Sequence, residues 1–261
     1  MKLENNRSIE ESAVQSLDGT SNELFPYLPY ILQDCFEMGT PPEVVLKLIK
    51  AHTANPSCLR ILDLGCGKGA VSISLARELN CQCHGIDAIS EFIEEATIKA
   101  KEFNVERRCT FACGDIRTKI HELKNYDVII LGAIGPVFGN YNSTLTQVSR
   151  CLSEKGLIII DDGYIDDKIE YSHPSYKKRS VILKQISDAR MIVVDEAIIT
   201  NQEVKKADEY IHRHIKRRCH ELITMHPDQK HLFLDYLSEQ EKENEILENK
   251  IICSTMLLRK C

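Results

Sequence analysis

The sequence predicts an α/β protein in which helices cover both faces of a doubly wound, mostly parallel sheet. Short runs rich in β-branched residues alternate through the middle of the chain with stretches of helical character, which is typical of parallel strands connected by helices. Two of the runs, VIIL (128–131) and LIII (157–160), are continuously apolar, as expected for strands buried on both faces.

The strands and helices of this core follow from that alternation. Strands are predicted over 60–64, 81–87, 109–115, 126–132, 156–162 and 191–197, with a last one over 251–258. Helices are predicted between them over 70–80, 91–105, 144–155 and 176–189.

Two segments do not fit the alternation. Residues 23–54 predict two helices separated at 39–42, where Thr40 would cap the second helix. Residues 200–249 are highly charged and helical, with a break near His226. The predicted division is therefore a helical cap, a ligand-binding domain, an inserted helical lid and a final strand, over residues 1–56, 57–199, 200–249 and 250–261 respectively.

Composition bounds the class of protein. A chain of 261 residues suits one sizeable domain with appendages, and its formal charge of −6 argues against a dedicated nucleic-acid binder. The 11 cysteines are odd in number and form no C-x-x-C pair. The N-terminus is polar and no apolar run reaches membrane-spanning length. We expect a reduced, cytoplasmic protein with no membrane contact and no metal site.

The stretch DLGCGKG (63–69) predicts a strand, a tight glycine turn and a helix that presents its N-terminus to a ligand. It also fits the dinucleotide pattern G-x-G-x-x-A through Ala70. In an open parallel sheet the ligand lies at the carboxyl ends of the strands. The next strands end at Asp87, at Gly114-Asp115 and at Leu131, so these positions belong to the same predicted site.

The order DLGCGKG, GID, GD and YDVIIL, over about residues 58–165, resembles class I S-adenosylmethionine-dependent methyltransferases. The resemblance implies a Rossmann-like, seven-stranded sheet whose last strand is antiparallel. It also implies S-adenosyl-L-methionine as the cofactor. The implied cofactor-binding residues are Asp63, Gly65, Cys66, Gly67, Gly69, Asp87, Ala88, Ile89, Gly114, Asp115, Ile116 and Leu131, with Tyr27 and Tyr30 added from the first helical segment.

Each implied contact has a chemical role. The glycines would let the backbone approach the methionyl part, with Asp63 near its amino group. Asp87 would accept hydrogen bonds from both ribose hydroxyls, with Ala88 and Ile89 beside the adenine. Asp115 would accept from the adenine amino group and Ile116 would pack on the ring, while Leu131 would lie near the sulfonium.

The acceptor side carries weaker signals. Residues 135–138 (GPVF) lack the side-chain amide or acid of amine methyltransferases at this place. The acidic segment after the fifth strand makes Asp161, Asp162 and Tyr164 the candidate catalytic residues, either as a base or as an acceptor-binding group. Because appended helices enclose a cavity, we expect a small-molecule acceptor. The sequence is compatible with a homodimer but carries no signal for the oligomeric state.

Other functions remain open at this stage. An RNA methyltransferase would use the basic stretch 205–218. A non-catalytic module would bind S-adenosylmethionine without transferring its methyl group. An NAD(P)-dependent oxidoreductase would use Tyr164 and Lys168, which match a Y-x-x-x-K pattern, although here that pattern directly follows a buried strand.

Overall fold

The computed structural model describes residues 7–261, so residues 1–6 of the polar N-terminal stretch lie outside the described part of the chain. The strands in it are β1 (Arg60–Leu64), β2 (Gln82–Asp87), β3 (Cys109–Cys113), β4 (Tyr126–Gly132), β5 (Leu152–Tyr164), β6 (Met191–Ile198) and β7 (Ile252–Lys260). They form one sheet in the order β3-β2-β1-β4-β5-β7-β6. Among these described strands β7 runs antiparallel to β5 and β6, and the other pairs are parallel. The predicted fold class is confirmed.

The helices are α1 (Ile9–Ser16), α2 (Leu28–Ile31), α3 (Pro42–His52), α4 (Ala70–Leu79), α5 (Ser90–Glu102), α6 (Ile116–Lys119), α7 (Tyr141–Val148), α8 (Arg179–Asp188), α9 (Asn201–Met225) and α10 (Lys230–Lys250). Short 3₁₀ turns occupy Asn22–Tyr27, Pro56–Cys58, Ile120–Glu122, Ser149–Cys151 and Pro227–Gln229. Helices α9 and α10 lie in the chain between β6 and β7, at the predicted insertion.

Two predicted helices are corrected. The helix predicted over 144–155 ends at Val148, and β5 already begins at Leu152, which pairs with Tyr126 of β4. Residues 153–155 are all polar, so the sequence shows no strand-like alternation at the start of β5. The first helix predicted within 23–54 is a 3₁₀ turn followed by the four-residue α2, because Pro26 and Pro29 each remove a backbone donor.

The predicted cap of α3 is also wrong. Its N-cap is Pro41, which makes no capping bond, and Thr40 lies one residue earlier. The Thr40 hydroxyl instead donates to the Asp161 carboxylate, 121 positions away in the sequence. The Thr40 side chain thus makes a long-range hydrogen bond instead of the N-cap bond that local capping rules predict.

Apolar side chains fill both faces of the sheet. One face packs against α6, α7 and α8, with Ile129 and Ile158 fully buried in it. The other packs against α3 and α4, with Ile130 and Ile159 in it. A further apolar cluster joins the N-terminal segment to α5, α9 and α10 around Phe233, so the two appended helical regions share one core beside the sheet.

Candidate functional site

A cleft with a cavity volume of about 130 Å³ lies at the carboxyl ends of β1, β2 and β4, between the sheet and the N-terminal segment, and opens to solvent at its mouth. Lining residues come from the glycine turn, from the ends of β2, β3 and β4, and from α1 and the loop before α3. The sheet topology therefore gathers at one place the strand ends that the sequence singles out.

The glycine turn between β1 and α4 forms the floor of the cleft. Gly65 and Gly67 have φ of 75° and 50°, in the left-handed region that favours glycine. A Cβ on Gly65 would lie 2.4 Å from Cγ2 of Ile134, and one on Gly67 would lie 3.1 Å from Cε of Met38. The turn thus needs glycine at both positions for its backbone angles, and at Gly65 also because a Cβ would clash with Ile134.

Asp87, at the end of β2, holds this turn in place. Its carboxylate accepts hydrogen bonds from the backbone N–H of Gly67 at 2.8 Å and of Ile89 at 3.0 Å. Burial raises the pKa of Asp87, while those bonds favour the charged form and oppose the rise. A carboxylate has about four acceptor positions, so lone pairs remain for ligand hydroxyls.

Asp63 lies beneath the turn and is only 3% exposed. One of its oxygens accepts a hydrogen bond from Oγ of Ser72 at 2.8 Å. Burial, reinforced by the charge of Asp87, raises the pKa of Asp63 to about 6 against the opposing Ser72 bond. A cationic group placed beside Asp63 would relieve this penalty.

At the end of β3, Asp115 caps α6 and is paired with Arg117, whose Nη2 lies 2.8 Å from Oδ2 of Asp115. Burial alone would raise the pKa of Asp115, but the hydrogen bonds and charge of Arg117 outweigh it and lower that pKa. Nη1 of Arg117 donates to the backbone carbonyl of Arg7 at 3.0 Å and to Oγ of Ser12 at 3.2 Å. Arg117 therefore ties α1 to the wall of the cleft.

The opposite end of the cleft, after β4, is apolar apart from Thr40. It is lined by Phe36, Met38, Thr40, Gly132, Ala133, Ile134 and Val137. Behind Thr40 lies Asp161, which accepts from Oγ1 of Thr40 at 2.9 Å and from Oγ1 of Thr255 at 2.5 Å. Burial raises the pKa of Asp161, although both hydroxyl bonds oppose the rise.

Most of the predicted cofactor residues line this cleft: Asp63, Gly65, Cys66, Gly67, Asp87, Ala88, Ile89, Gly114, Asp115 and Ile116. Gly69 and Leu131 do not. A Cβ on Gly69 would lie 2.8 Å from Phe111, and Leu131 is 2% exposed in the core on the α6–α8 face. Both support the cleft from behind, and direct contact of either with a cofactor stays a prediction.

Tyr27 and Tyr30 are not among the lining residues either. The hydroxyl of Tyr27 donates to Gln229 at 2.5 Å and that of Tyr30 to Glu221 at 2.7 Å. These bonds connect the N-terminal segment to α9 and to the turn before α10. The two tyrosines therefore join the N-terminal segment to the inserted helices. Their predicted contact with the cofactor stays a prediction.

The three predicted acceptor-side residues lie behind the lining and divide between the two faces of the sheet. Asp161 continues the α3 and α4 face, whereas Asp162 and Tyr164 continue the opposite one, since side chains alternate along a strand. Asp162 accepts from the Tyr141 hydroxyl at 2.8 Å, and Tyr164 is 2% exposed. Of the three, Asp161 has a partner, Thr40, in the cleft, and the catalytic assignment of all three stays a prediction.

Several residues of the site carry no sequence signal of their own. Phe36, Met38 and Ile134 look like ordinary core residues, and Thr40 looks like a cap. Lys68, inside the glycine turn, has a side chain that is 0% exposed, and its Nζ lies 2.8 Å from the Leu32 carbonyl and 2.8 Å from Glu95. In the structure, Ala133 has a left-handed backbone (φ 52°), a conformation that is often found at functional sites, but its residue type gives no sign of this.

The basic stretch 205–218 is partly neutralised within the molecule. Arg218 binds Asp34 with Nε at 2.5 Å, and Arg217 adds a contact to the same carboxylate at 2.6 Å. The hydrogen bonds of Arg218 and Arg217 hold the pKa of Asp34 well below its usual range. These arginines thus fasten α9 to the N-terminal segment.

A family model described as a methyltransferase domain matches residues 56–250 of this sequence, which is more than half of the chain. The chain belongs to this methyltransferase family. The predicted resemblance is thereby confirmed, and the matched range runs from just before β1 to the end of α10.

Individual proteins with known names are more distant. The chain is 31% identical over 121 residues to a ubiquinone biosynthesis O-methyltransferase of Rickettsia typhi, covering 45% of this chain and 46% of that protein. It is 26% identical over 154 residues to a ribosomal protein L11 methyltransferase of Dictyoglomus thermophilum, covering 59% and 48%. The chain spans about half the length of these curated relatives.

Among solved structures, a methyltransferase from Geobacter sulfurreducens in complex with S-adenosyl-L-homocysteine superposes with a TM-score of 0.74 at 18% identity, covering 90% of this chain and 98% of that one. The bound molecule of that structure agrees with the predicted cofactor. Within residues 7–261, none of the helices has the length and apolar character that crossing a membrane needs. The same residues contain no group of three or more His, Cys, Asp or Glu side chains placed to hold a metal ion.

Proposed function

We propose that this methyltransferase binds S-adenosylmethionine in the cleft and transfers its methyl group to a small molecule held at the Thr40 end. The observation that carries the proposal is the convergence of Asp63, the glycine turn, Asp87 and Asp115 on one cleft. These groups follow three different strands, β1, β2 and β3, and are far apart in the sequence.

The residues present fit this ligand along the whole length of the cleft. Asp63 would face the amino group, Asp87 the ribose hydroxyls and Asp115 the adenine amino group. Gly67 and Met38 border the space in which the methionyl part would lie, since a Cβ at Gly67 would come within 3.1 Å of Cε of Met38. When bound, S-adenosylmethionine supplies an electrophilic methyl group on a sulfonium.

The chain contributes alignment and exclusion of water. Helix α1 lines the cleft through Ile9, Ser12 and Ser16, and Phe36 and Met38 cover its other end. Holding donor and acceptor in line and away from water is a main contribution to methyl transfer. We therefore propose that the N-terminal segment acts as a lid; α9 and α10 add no described lining residue and pack on that segment.

A small acceptor is favoured by the shape and chemistry of the Thr40 end, because an enclosed apolar space suits a small molecule better than a polymer. The names of the relatives alone do not decide, since one refers to ubiquinone biosynthesis and the other to a ribosomal protein. The RNA alternative gains no support, because Arg217 and Arg218 already bind Asp34. A cytoplasmic location and a homodimer stay predictions.

Calorimetric titration with S-adenosylhomocysteine, and separately with NADH, tests the cofactor assignment. We expect the first to bind and the second not. Asp87→Ala should weaken binding by about 2 kcal/mol, or roughly 30-fold, because it removes the ribose partner and leaves two turn N–H groups unpaired. Asp127→Ala is the matched control. Asp127 also accepts from a backbone N–H, that of Arg60, but it lies at the amino ends of the strands, away from the cleft.

The outcomes separate the alternatives. Binding of NADH alone would indicate an oxidoreductase, and equal affinities of Asp87→Ala and the wild type would remove Asp87 from the site. A non-catalytic module would bind S-adenosylhomocysteine normally. It would also form no S-adenosylhomocysteine from S-adenosylmethionine with any acceptor in a broad panel.

A further inference from the structure

Thr40 lies between the cleft and a buried carboxylate. It lines the cleft and is 5% exposed. Its Oγ1 sits over the end of β4, where a Cβ built on Gly132 would be only 2.5 Å away. The same oxygen donates to Oδ2 of Asp161 at 2.9 Å. Asp161 itself is not among the lining residues, so Thr40 is its contact with the cleft.

The direction of these hydrogen bonds is fixed by the chemistry of the groups. Thr255 donates to Oδ1 of Asp161 at 2.5 Å, and Thr40 to Oδ2, so each carboxylate oxygen receives one hydroxyl. A threonine hydroxyl has one hydrogen and two lone pairs. With its hydrogen committed to Asp161, Thr40 can offer the cleft only a lone pair. A ligand that pairs with Thr40 must therefore donate a hydrogen.

The surroundings restrict the ligand further. Near Thr40 the chain after β4 contributes Gly132, Ala133 and Ile134 to the lining, and a Cβ on the neighbouring Gly39 would lie 2.9 Å from Cβ of Ala133. Among the described residues, the charged ones that line the cleft are Asp63, Lys68, Asp87, Asp115 and Arg117, and none of them belongs to the loop before α3 or to the chain after β4. An anionic ligand group would lose its hydration here and would meet the charge of Asp161 behind Thr40. The pocket at this end favours a neutral, apolar body with one polar, hydrogen-bearing group.

We propose that the methyl acceptor is a neutral apolar or aromatic molecule with a hydroxyl group that donates to Thr40, and that Thr40 passes the proton of this group to Asp161. This inference rests on the proposed function and names its substrate class. The acceptor O–H bond and the donor C–S bond break while one O–C bond forms, and S-adenosylhomocysteine leaves. The hydroxyl proton moves to Oγ1 of Thr40 as Thr40's own proton moves to Oδ2 of Asp161, so Thr40 is unchanged at the end.

The electrostatics of Asp161 agree with this role. Burial raises the pKa of Asp161, and the neighbouring charge of Asp162 adds to the rise, while Thr255 and Thr40 oppose it. The charge of Asp161 also acts on Tyr141, which bonds Asp162 on the other face, and on Cys253; burial raises the pKa of both, so neither competes as a base near neutral pH. A carboxylate with a raised pKa takes up a proton more readily than one in water.

Three small probes test the hydrogen-bond direction without requiring turnover: p-cresol, which donates, 4-methylanisole, which only accepts, and toluene, which does neither. Each is titrated into the protein saturated with S-adenosylhomocysteine, and its Kd is measured by ligand-observed NMR. We expect p-cresol to bind about tenfold more tightly than either of the others, as for one good hydrogen bond.

Variants then assign the preference to named atoms. Thr40→Val keeps the shape and removes the hydroxyl, so p-cresol should bind no better than toluene, whereas Thr40→Ser should retain the preference. In Asp161→Asn the amide can donate to Thr40, which frees the Thr40 hydrogen for the cleft, and 4-methylanisole should gain relative to p-cresol. Thr53→Val is the matched control, because the Thr53 hydroxyl binds the Ile49 carbonyl at the end of α3.

Each result has one meaning. If the wild type fails to bind S-adenosylhomocysteine, the proposed function fails and this inference with it. If S-adenosylhomocysteine binds but the three probes bind equally, or none binds, the hydroxyl-bearing acceptor is overturned alone. A Thr40→Val protein that binds S-adenosylhomocysteine like the wild type and still prefers p-cresol would remove Thr40 from the site.

Discussion

We expect the binding of S-adenosylhomocysteine to depend on pH through Asp63. Burial is the main cause that raises the pKa of Asp63 to about 6 from its ordinary value of 3.8, with the charge of Asp87 adding to it. An ammonium group beside Asp63 stabilises the carboxylate. We therefore expect binding to expel the proton from Asp63 wherever the free protein still holds it.

The size of the effect follows from that pKa. With a value near 6, about 99% of Asp63 is ionised at pH 8 but only about a tenth at pH 5. If the ligand requires the carboxylate, the Kd at pH 5 should be about tenfold larger, or about 1.4 kcal/mol. Because folding disfavours the charged form, Asp63 also lowers the free energy of unfolding of the ligand-free protein as the pH rises from about 4 to about 6.

Calorimetry measures both the affinity and the proton. The Kd of S-adenosylhomocysteine is followed from pH 5 to pH 8, and at pH 6 the enthalpy is compared in two buffers of different ionisation enthalpy. We expect release of about half a proton at pH 6 and almost none at pH 8. Asp63→Asn should bind more weakly at pH 8 and lose most of the pH dependence, while Asp87 stays in both proteins. A Kd constant within about twofold from pH 5 to pH 8, with the same enthalpy in both buffers, would refute this reasoning.

Two further predictions concern stability. Lys68→Met leaves the buried Leu32 carbonyl without its donor and Glu95 without its partner, so the free energy of unfolding in urea should fall by about 1–3 kcal/mol. The change Lys184→Met, at an exposed lysine paired with Asp188, should cost little by comparison. Burial and the nearby charge of Glu248 raise the pKa of Asp208 to about 7, so ionised Asp208 destabilises the fold above that pH. Asp208→Asn should therefore raise the Tm more at pH 8 than at pH 5, because the destabilisation develops as the pH rises from about 4 to about 7, and equal shifts at both values would contradict this.

The core of the fold could be predicted because its signals are local. Strand β4 begins and ends at the predicted residues 126 and 132, and β1 matches at 60 and 64, since short apolar runs bounded by loops specify buried parallel strands. The start of β5 could not be predicted. Residues 152–155 carry little apolar character, and they become a strand only because Leu152 finds Tyr126 on the neighbouring strand. Pairing across the sheet decided what local propensity left open.

The same distinction divides the two ends of the cleft. Asp63, Asp87 and Asp115 each stand at the end of a strand in the sequence, so the topology of a parallel sheet suffices to bring them together. Strand topology does not predict the residues at the Thr40 end of the cleft. Its atoms come from a loop before the sheet, from β5 and from the last strand, and Thr255 meets Asp161 only because β7 is antiparallel and pairs these two residues directly.

This asymmetry indicates how one fold can use one donor with many acceptors. The donor end is built from consecutive strand ends, where a change in one residue disturbs the turn, the helix and the sheet together, as the bonds of Asp87 to Gly67 and Ile89 show. The acceptor end is closed by a segment that touches the sheet through a few side chains, Thr40 among them. Substitutions in that segment can alter which molecule fits without altering how the donor is held. Acceptor specificity should therefore follow the loop before α3, and exchanging residues 39–40, which leaves Met38 beside the glycine turn, should change probe preference by a larger factor than it changes the affinity for S-adenosylhomocysteine.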